Sequence, residues 1–157
     1  MCIRDRPTAT VVRQLLERPA EQGEELLGYP LADGSWHDVT SGEINAYLKE
    51  ISGAEITAKD FRTWTATVMM AATLAEEPPP RSRTARSKVV RQAYVKVSQQ
   101  LGNTPAVCKA SYVDPRVVDR FEHGETIADS LSKAAEAPDD RTAQRTVEAG
   151  VCALLSV

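Results

Sequence analysis

Residues 101–115 read LGNTPAVCKASYVDP, and they punctuate a chain built mostly of helical stripes. Gly102-Asn103 is a helix stop, because glycine takes the left-handed conformation that closes a helix C-terminus. Thr104 can cap a new helix. Pro105 suits the first helical position, where its missing N–H would have had no partner anyway. That helix is short and ends near Tyr112. Asp114-Pro115 repeats the cap-and-proline signal and starts a helix that reaches His123-Gly124. Helix starts this close together leave no room for a strand, so this part of the chain reads as helices joined by tight turns.

Working outward, a basic helix precedes the stretch from about Thr84 to Leu101, with Val90, Ala93, Val97 and Leu101 as its apolar stripe. EEPPPRSR separates it from the helix before, since three prolines cannot continue a helix. That earlier helix opens on Thr57 and Asp60, spaced like a capping box. Phe61, Trp64, Thr65, Val68, Ala72 and Ala75 form its expected buried face, with Phe61 and Trp64 in the core. Ile44, Tyr47, Leu48 and Ile51 mark another amphipathic helix, capped by Thr40-Ser41 with Glu43 in its first turn and ended by Ser52-Gly53. Asp33-Gly34 predicts a turn in a small hairpin or loop. Val11, Val12, Leu15 and Leu16 give a short helix stopped by Pro19. Thr126–Glu136 and Asp139–Leu155 complete the chain as helices. Residues 1–6, MCIRDR, have no periodicity and read as a leader foreign to the fold; residues 7–157 read as the folded part. The fold class is mainly α, with at most a small β element.

The chain has 157 residues, enough for one domain with a real core. No apolar run approaches the roughly 20 residues of a membrane span. Cys2, Cys108 and Cys152 are few and scattered, which suits reduced thiols in a cytoplasm-like compartment and not a disulfide framework or a zinc site. The formal net charge is -3, but it is unevenly spread. From Arg81 to Arg120 nine basic residues, Arg86 and Lys109 among them, face only Asp114 and Asp119. A basic centre between acidic flanks fits contact with a polyanion, and equally a solvated helix face.

Three side chains could do chemistry together. Tyr112, at a helix end, reads first as a packing aromatic. As a nucleophile, a phenol with a reference pKa of about 10 needs cationic or donor neighbours. Lys109 lies one helical turn back, and Asn103 can aim an amide from the turn before the helix. Arg62 carries a rigid fork of donors suited to two phosphate oxygens, and such a group stabilises charge on a transferring phosphoryl group.

ITAKDFRTWTATVMMA followed by LGNTPAVCKASYVDPRVVDRFE resembles the C-terminal part of the catalytic domain of type IB DNA topoisomerases, in their short bacterial and poxvirus-like forms. The likeness runs from about Thr8 to the C-terminus. It implies the mainly helical catalytic domain of the tyrosine recombinase and type IB topoisomerase kind, here a partial one. It puts the family's second catalytic arginine on Arg62, a donor to the scissile phosphate on Asn103, and the nucleophile on Tyr112. Lys59, Lys109 and Arg86 are then DNA-contact residues. The implied reaction relaxes supercoiled duplex DNA through a 3′-phosphotyrosyl intermediate. It needs no cofactor, metal or ATP, and is carried out by a monomer on the nucleoid in the cytoplasm, away from membranes.

One departure limits this expectation. The family also uses an earlier arginine and a general-acid lysine on an upstream β-hairpin. This chain has no lysine before Lys49. It reads as a fragment with the nucleophile and half of the charge clamp, inactive or nearly so alone. The rival readings are a tyrosine recombinase fragment and a non-catalytic helical DNA-binding module. The recombinase would show His-x-x-Arg where Lys59-x-x-Arg62 stands, so KDFRTW favours the topoisomerase. His37 and His123 read as structural, and Cys108 as a small buried residue.

Overall fold

A computed structural model of the protein describes residues 6–19, 25–76, 78 and 80–156. Among the described residues there are eight helices and one two-stranded hairpin, as the sequence reading expects of a mainly α chain. The chain divides into two compact units, Met1–Ala58 and Lys59–Val157.

The first unit holds α1 (Arg6–Leu16), β1 (Gly28–Pro30), β2 (Trp36–Asp38) and α2 (Ser41–Ser52). Residues 1–5 of the expected leader lie outside the described residues, and Arg6 is already the first residue of α1. The strands pair antiparallel, Tyr29 opposite His37. Gly34 turns the chain at φ 83°, and the Asp33 carboxylate accepts from the Ser35 N–H at 2.9 Å and its hydroxyl at 2.6 Å. That is the Asp-Gly turn chemistry the sequence announces. A reciprocal capping box starts α2. The Glu43 N–H donates to the Thr40 hydroxyl, and the Thr40 N–H donates to the Glu43 carboxylate at 2.8 Å. The expected α2 stripe is only partly covered: Tyr47 and Ile51 are each 61% exposed, and α2 has no buried residue. Amphipathic spacing makes a face that can be buried, and burial itself needs an opposing surface.

The second unit carries the core. It consists of α3 (Ala58–Leu74, from Lys59 on), α4 (Arg83–Leu101), α5 (Pro105–Ser111), α6 (Pro115–Glu122), α7 (Ala128–Ala135) and α8 (Asp140–Leu155). Phe121, Met70, Val97, Val117, Val151 and Cys108 are its largest fully buried apolar side chains. The buried face of α3 is Ala66, Thr67, Met70, Ala71 and Leu74, rotated from the expected one. Trp64, Val68 and Ala72 flank it, half-buried, while Phe61 is 55% exposed and so is not a core residue. Phe61 lies toward the helix start, before the buried segment from Ala66 to Leu74.

The turn chemistry is as read from the sequence. Gly102 ends α4 in the left-handed conformation at φ 66°, the Thr104 hydroxyl accepts from the Val107 N–H, and Asp114 accepts from the Arg116 N–H at 2.9 Å. Ser82 caps α4, slightly ahead of the expected Thr84. The Asp114 carboxylate also grips the Arg116 guanidinium, whose Nη1 donates to the Leu155 carbonyl at 3.0 Å. This fastens the start of α6 to the end of α8. Gly150 of α8 lies against α7, where a Cβ would stand 2.3 Å from the Ser130 Oγ.

Candidate active site

Tyr112 is the C-cap of α5, half-buried, and its N–H donates to the Cys108 carbonyl at 3.1 Å. Val113, 5% exposed, follows it into the core, and Asp114 then caps α6. The tyrosine thus stands at a joint between two short helices. Its backbone is held on one side by a helical hydrogen bond and on the other by a buried valine.

Arg62 reaches this joint from α3. Its guanidinium carbon lies over the Tyr112 ring, 5.0 Å from the centroid. Its Nη2 donates to the Leu101 carbonyl at 2.5 Å. Leu101 ends α4, where carbonyls lack helical partners and the helix dipole favours a cation. A guanidinium has five N–H donors, so one backbone bond leaves most of the fork for a further acceptor.

Asn103 follows two residues after that carbonyl. Its N–H donates to the Ser98 carbonyl at 3.0 Å. Both polar atoms of its side chain are buried and find no partner. A buried amide without hydrogen bonds is costly and calls for an explanation, such as an acceptor and donor that arrive with a ligand.

The flanking basic residues spread out. Lys59 is exposed on α3, one turn before Arg62, and Arg86 is half-buried near the start of α4. Lys109 lines a groove with Arg91, Tyr94, Pro105, Val118 and Glu122. The cation over the phenol ring is therefore Arg62, where the sequence suggested Lys109. At φ -129° Tyr112 has left the helical conformation, and the one-turn relation to Lys109 ends with it.

Cys108 is fully buried, and burial pushes its thiol pKa up, which makes it a packing residue and not a nucleophile. His37 pairs with Glu43 at 2.6 Å, and the His123 Nδ1 meets the Asp119 carbonyl at 2.7 Å, both local structural roles. Sequence reasoning passed over Thr67. A threonine inside a helix gives no signal of what its hydroxyl holds. Here it is 2% exposed, donates to the Thr63 carbonyl at 2.8 Å and accepts from the Asp114 N–H at 3.1 Å.

Comparison with known proteins gives this arrangement a context. The family described as eukaryotic DNA topoisomerase I, catalytic core, matches residues 7–137. A DNA topoisomerase 1B from Acanthamoeba polyphaga mimivirus is 32% identical over 109 residues, covering 65% of this chain and 32% of the relative. The chain therefore spans about a third of the length of that relative.

Proposed function

The chain belongs to the family of the eukaryotic DNA topoisomerase I catalytic core, and from that premise we propose that it is a piece of a type IB topoisomerase with Tyr112 as its nucleophile. The substrate is duplex DNA. The Tyr112 phenolic oxygen attacks a backbone phosphorus and forms a P–O bond. The bond from phosphorus to the 5′-bridging oxygen breaks, and that oxygen leaves with the electron pair. The phenol gives up its proton and the departing oxygen takes one up, so a 3′-phosphotyrosyl link and a 5′-hydroxyl end result. Rotation of the free end relieves superhelical strain. Attack by the 5′-hydroxyl reverses each step and restores the strand. The phosphodiester energy stays in the covalent link, which is why this scheme calls for neither ATP nor a metal.

The observation that carries the reading is the Arg62 fork over the Tyr112 ring. A phosphate approached by the phenol would also meet the unused donors of Arg62, which stabilise charge on the non-bridging oxygens. Asn103, with its unpartnered amide, is the third group, and it reaches the phosphate once its surroundings open. Lys59, Lys109 and Arg86 add phosphate contacts along the duplex. The protein acts as a monomer in the cytoplasm, on the nucleoid. Because the upstream arginine and the general-acid lysine are not among these residues, the isolated chain relaxes plasmid DNA poorly or not at all.

The test separates the nucleophile from the acid. In DNA whose scissile 5′-bridging oxygen is replaced by sulfur, the leaving thiolate needs no proton donor, since thiols are far more acidic than alcohols. The isolated chain is expected to form a covalent adduct with this DNA, seen as a shifted band on a denaturing gel, and almost none with ordinary DNA. Binding without any adduct from the sulfur-bridged DNA would instead favour the non-catalytic binding module. Robust relaxation of a supercoiled plasmid would overturn the claim that the acid is missing.

A further inference from the structure

We propose that Thr67 is a positioning residue that sets the register of Tyr112 against Arg62. The inference rests on the reading of those two residues as the site. Thr67 and Ser98 are the two buried polar residues among the described ones. Ser98 turns back to its own helix, donating to the Val95 carbonyl at 2.9 Å. Thr67 does not only turn back. Its hydroxyl proton goes to the Thr63 carbonyl at 2.8 Å, which aims an oxygen lone pair outward. That lone pair receives the Asp114 N–H at 3.1 Å, and the Tyr112 carbonyl lies 3.4 Å from the same oxygen.

The hydroxyl thus buttons the Asp114 end of the Tyr112–Asp114 link onto α3, with the Tyr112 carbonyl lying beside it. Arg62 stands on the same helix, a little over one turn earlier. One rigid element therefore carries the arginine and also holds the backbone two residues after the tyrosine, across the buried Val113. A helix holds its residues in fixed relation, so the button converts the position of Arg62 into a position for Tyr112. Reaction geometry is sensitive to displacements of about 1 Å, so a loosened link costs rate without removing any group that touches DNA. Valine matches threonine in shape but has no hydroxyl. In Thr67→Val the Asp114 N–H loses its acceptor and the link is free to drift.

The experiment compares wild type, Thr67→Val and Thr67→Ser in the full 157-residue chain. The direct readout is the NMR resonance of the Arg62 Nε–H, displaced by the ring current of Tyr112. It is expected to move toward the value of an unstacked arginine in Thr67→Val and to stay in place in Thr67→Ser. Exchange of the Asp114 amide with solvent accelerates in the valine variant alone. The covalent-adduct rate with sulfur-bridged DNA falls roughly 10- to 100-fold in Thr67→Val, with duplex affinity retained, and recovers in Thr67→Ser. An Arg62 resonance that stays put in Thr67→Val overturns the proposal, whatever the activity. Where the valine variant does not fold, an Arg62 resonance moved away from its wild-type position in the folded serine variant overturns it equally. A wild-type chain without adduct but with the displaced resonance, moved by valine and kept by serine, sinks the enzymatic reading and leaves the positioning role standing.

Discussion

The Arg62 guanidinium lies over the Tyr112 ring, its carbon 5.0 Å from the ring centroid, while its Nη2 is bonded to the Leu101 carbonyl. The two side chains come from α3 and from the joint between α5 and α6, and the carbonyl comes from the end of α4. Three helices therefore meet at one charge. A cation above an aromatic face contributes about 0.5–1 kcal/mol at exposed sites, so the contact orients the arginine without locking it.

Replacing Tyr112 with phenylalanine keeps the ring beneath Arg62 and removes only the phenolic oxygen. No covalent adduct with sulfur-bridged DNA is expected. Duplex affinity should stay within about twofold, the effect of a change of about 0.5 kcal/mol. A gel-shift titration beside a denaturing gel checks both halves. An adduct that survives in Tyr112→Phe would show that another residue is the nucleophile.

Arg62→Lys keeps the charge and loses the fork. An ammonium is a compact point charge that cannot present two parallel donors to two phosphate oxygens. The adduct rate should fall by about 10²-fold or more, as when one donor to a developing oxyanion is removed. The salt slope of DNA binding should remain that of wild type, because the number of cations is unchanged. A lysine variant within a few-fold of wild-type rate would remove the fork from the mechanism.

Phosphate contacts show in the salt dependence of affinity. Arg86→Gln and Lys109→Gln should each reduce the slope of log K against log salt by about one. Lys96→Gln is the internal control, since Lys96 is paired with Glu76 at 2.5 Å. Its smaller effect is expected because its charge is already partly answered within the protein. Fluorescence-anisotropy titrations over a range of salt concentrations measure all three. Equal slopes for the three variants would mean that Arg86 and Lys109 are not privileged contacts.

The start of α2 carries an acid-sensitive cap. The Glu43 carboxyl is lowered from 4.5 to about 2, chiefly by the Thr40 N–H, then by the Thr40 hydroxyl and by His37. The folded value lies below the unfolded one. The cap therefore stabilises α2 fully above pH 4.5, and this contribution is lost as the pH falls toward about 2. A carbon-detected NMR titration of Glu43 should show its midpoint near the lower value. Thr40→Val, which deletes the hydroxyl partner, should move it upward. A wild-type midpoint near 4.5 would mean that the cap is not formed in solution.

The parts of this fold that sequence reasoning reached are those governed by local chemistry. The Thr40 cap, the left-handed Gly102, and the Thr104-Pro105 and Asp114-Pro115 starts all satisfy backbone groups within a few residues, so their neighbours in the chain suffice to read them. Choices between surfaces were less accessible. Phe61 has the right spacing for the core yet is exposed, because it lies in the first turn of α3, ahead of the buried segment that begins at Ala66. Motif resemblance named Arg62, Asn103 and Tyr112, and the fold sets Arg62 on Tyr112. The Leu101 carbonyl and the Thr67 hydroxyl join residues far apart in the chain, and no pattern in the sequence marks either.

Gly150 inverts a common engineering rule. Glycine inside a helix normally costs about 0.5–1 kcal/mol relative to alanine, so Gly→Ala is a routine way to raise a melting temperature. In α8 the added methyl would be driven to 2.3 Å from the Ser130 Oγ and 2.6 Å from its Cβ. The gain in helix propensity is outweighed by the forced separation of α7 from α8. A thermostabilising library for this chain should leave Gly150 untouched, or vary it only together with Ser130.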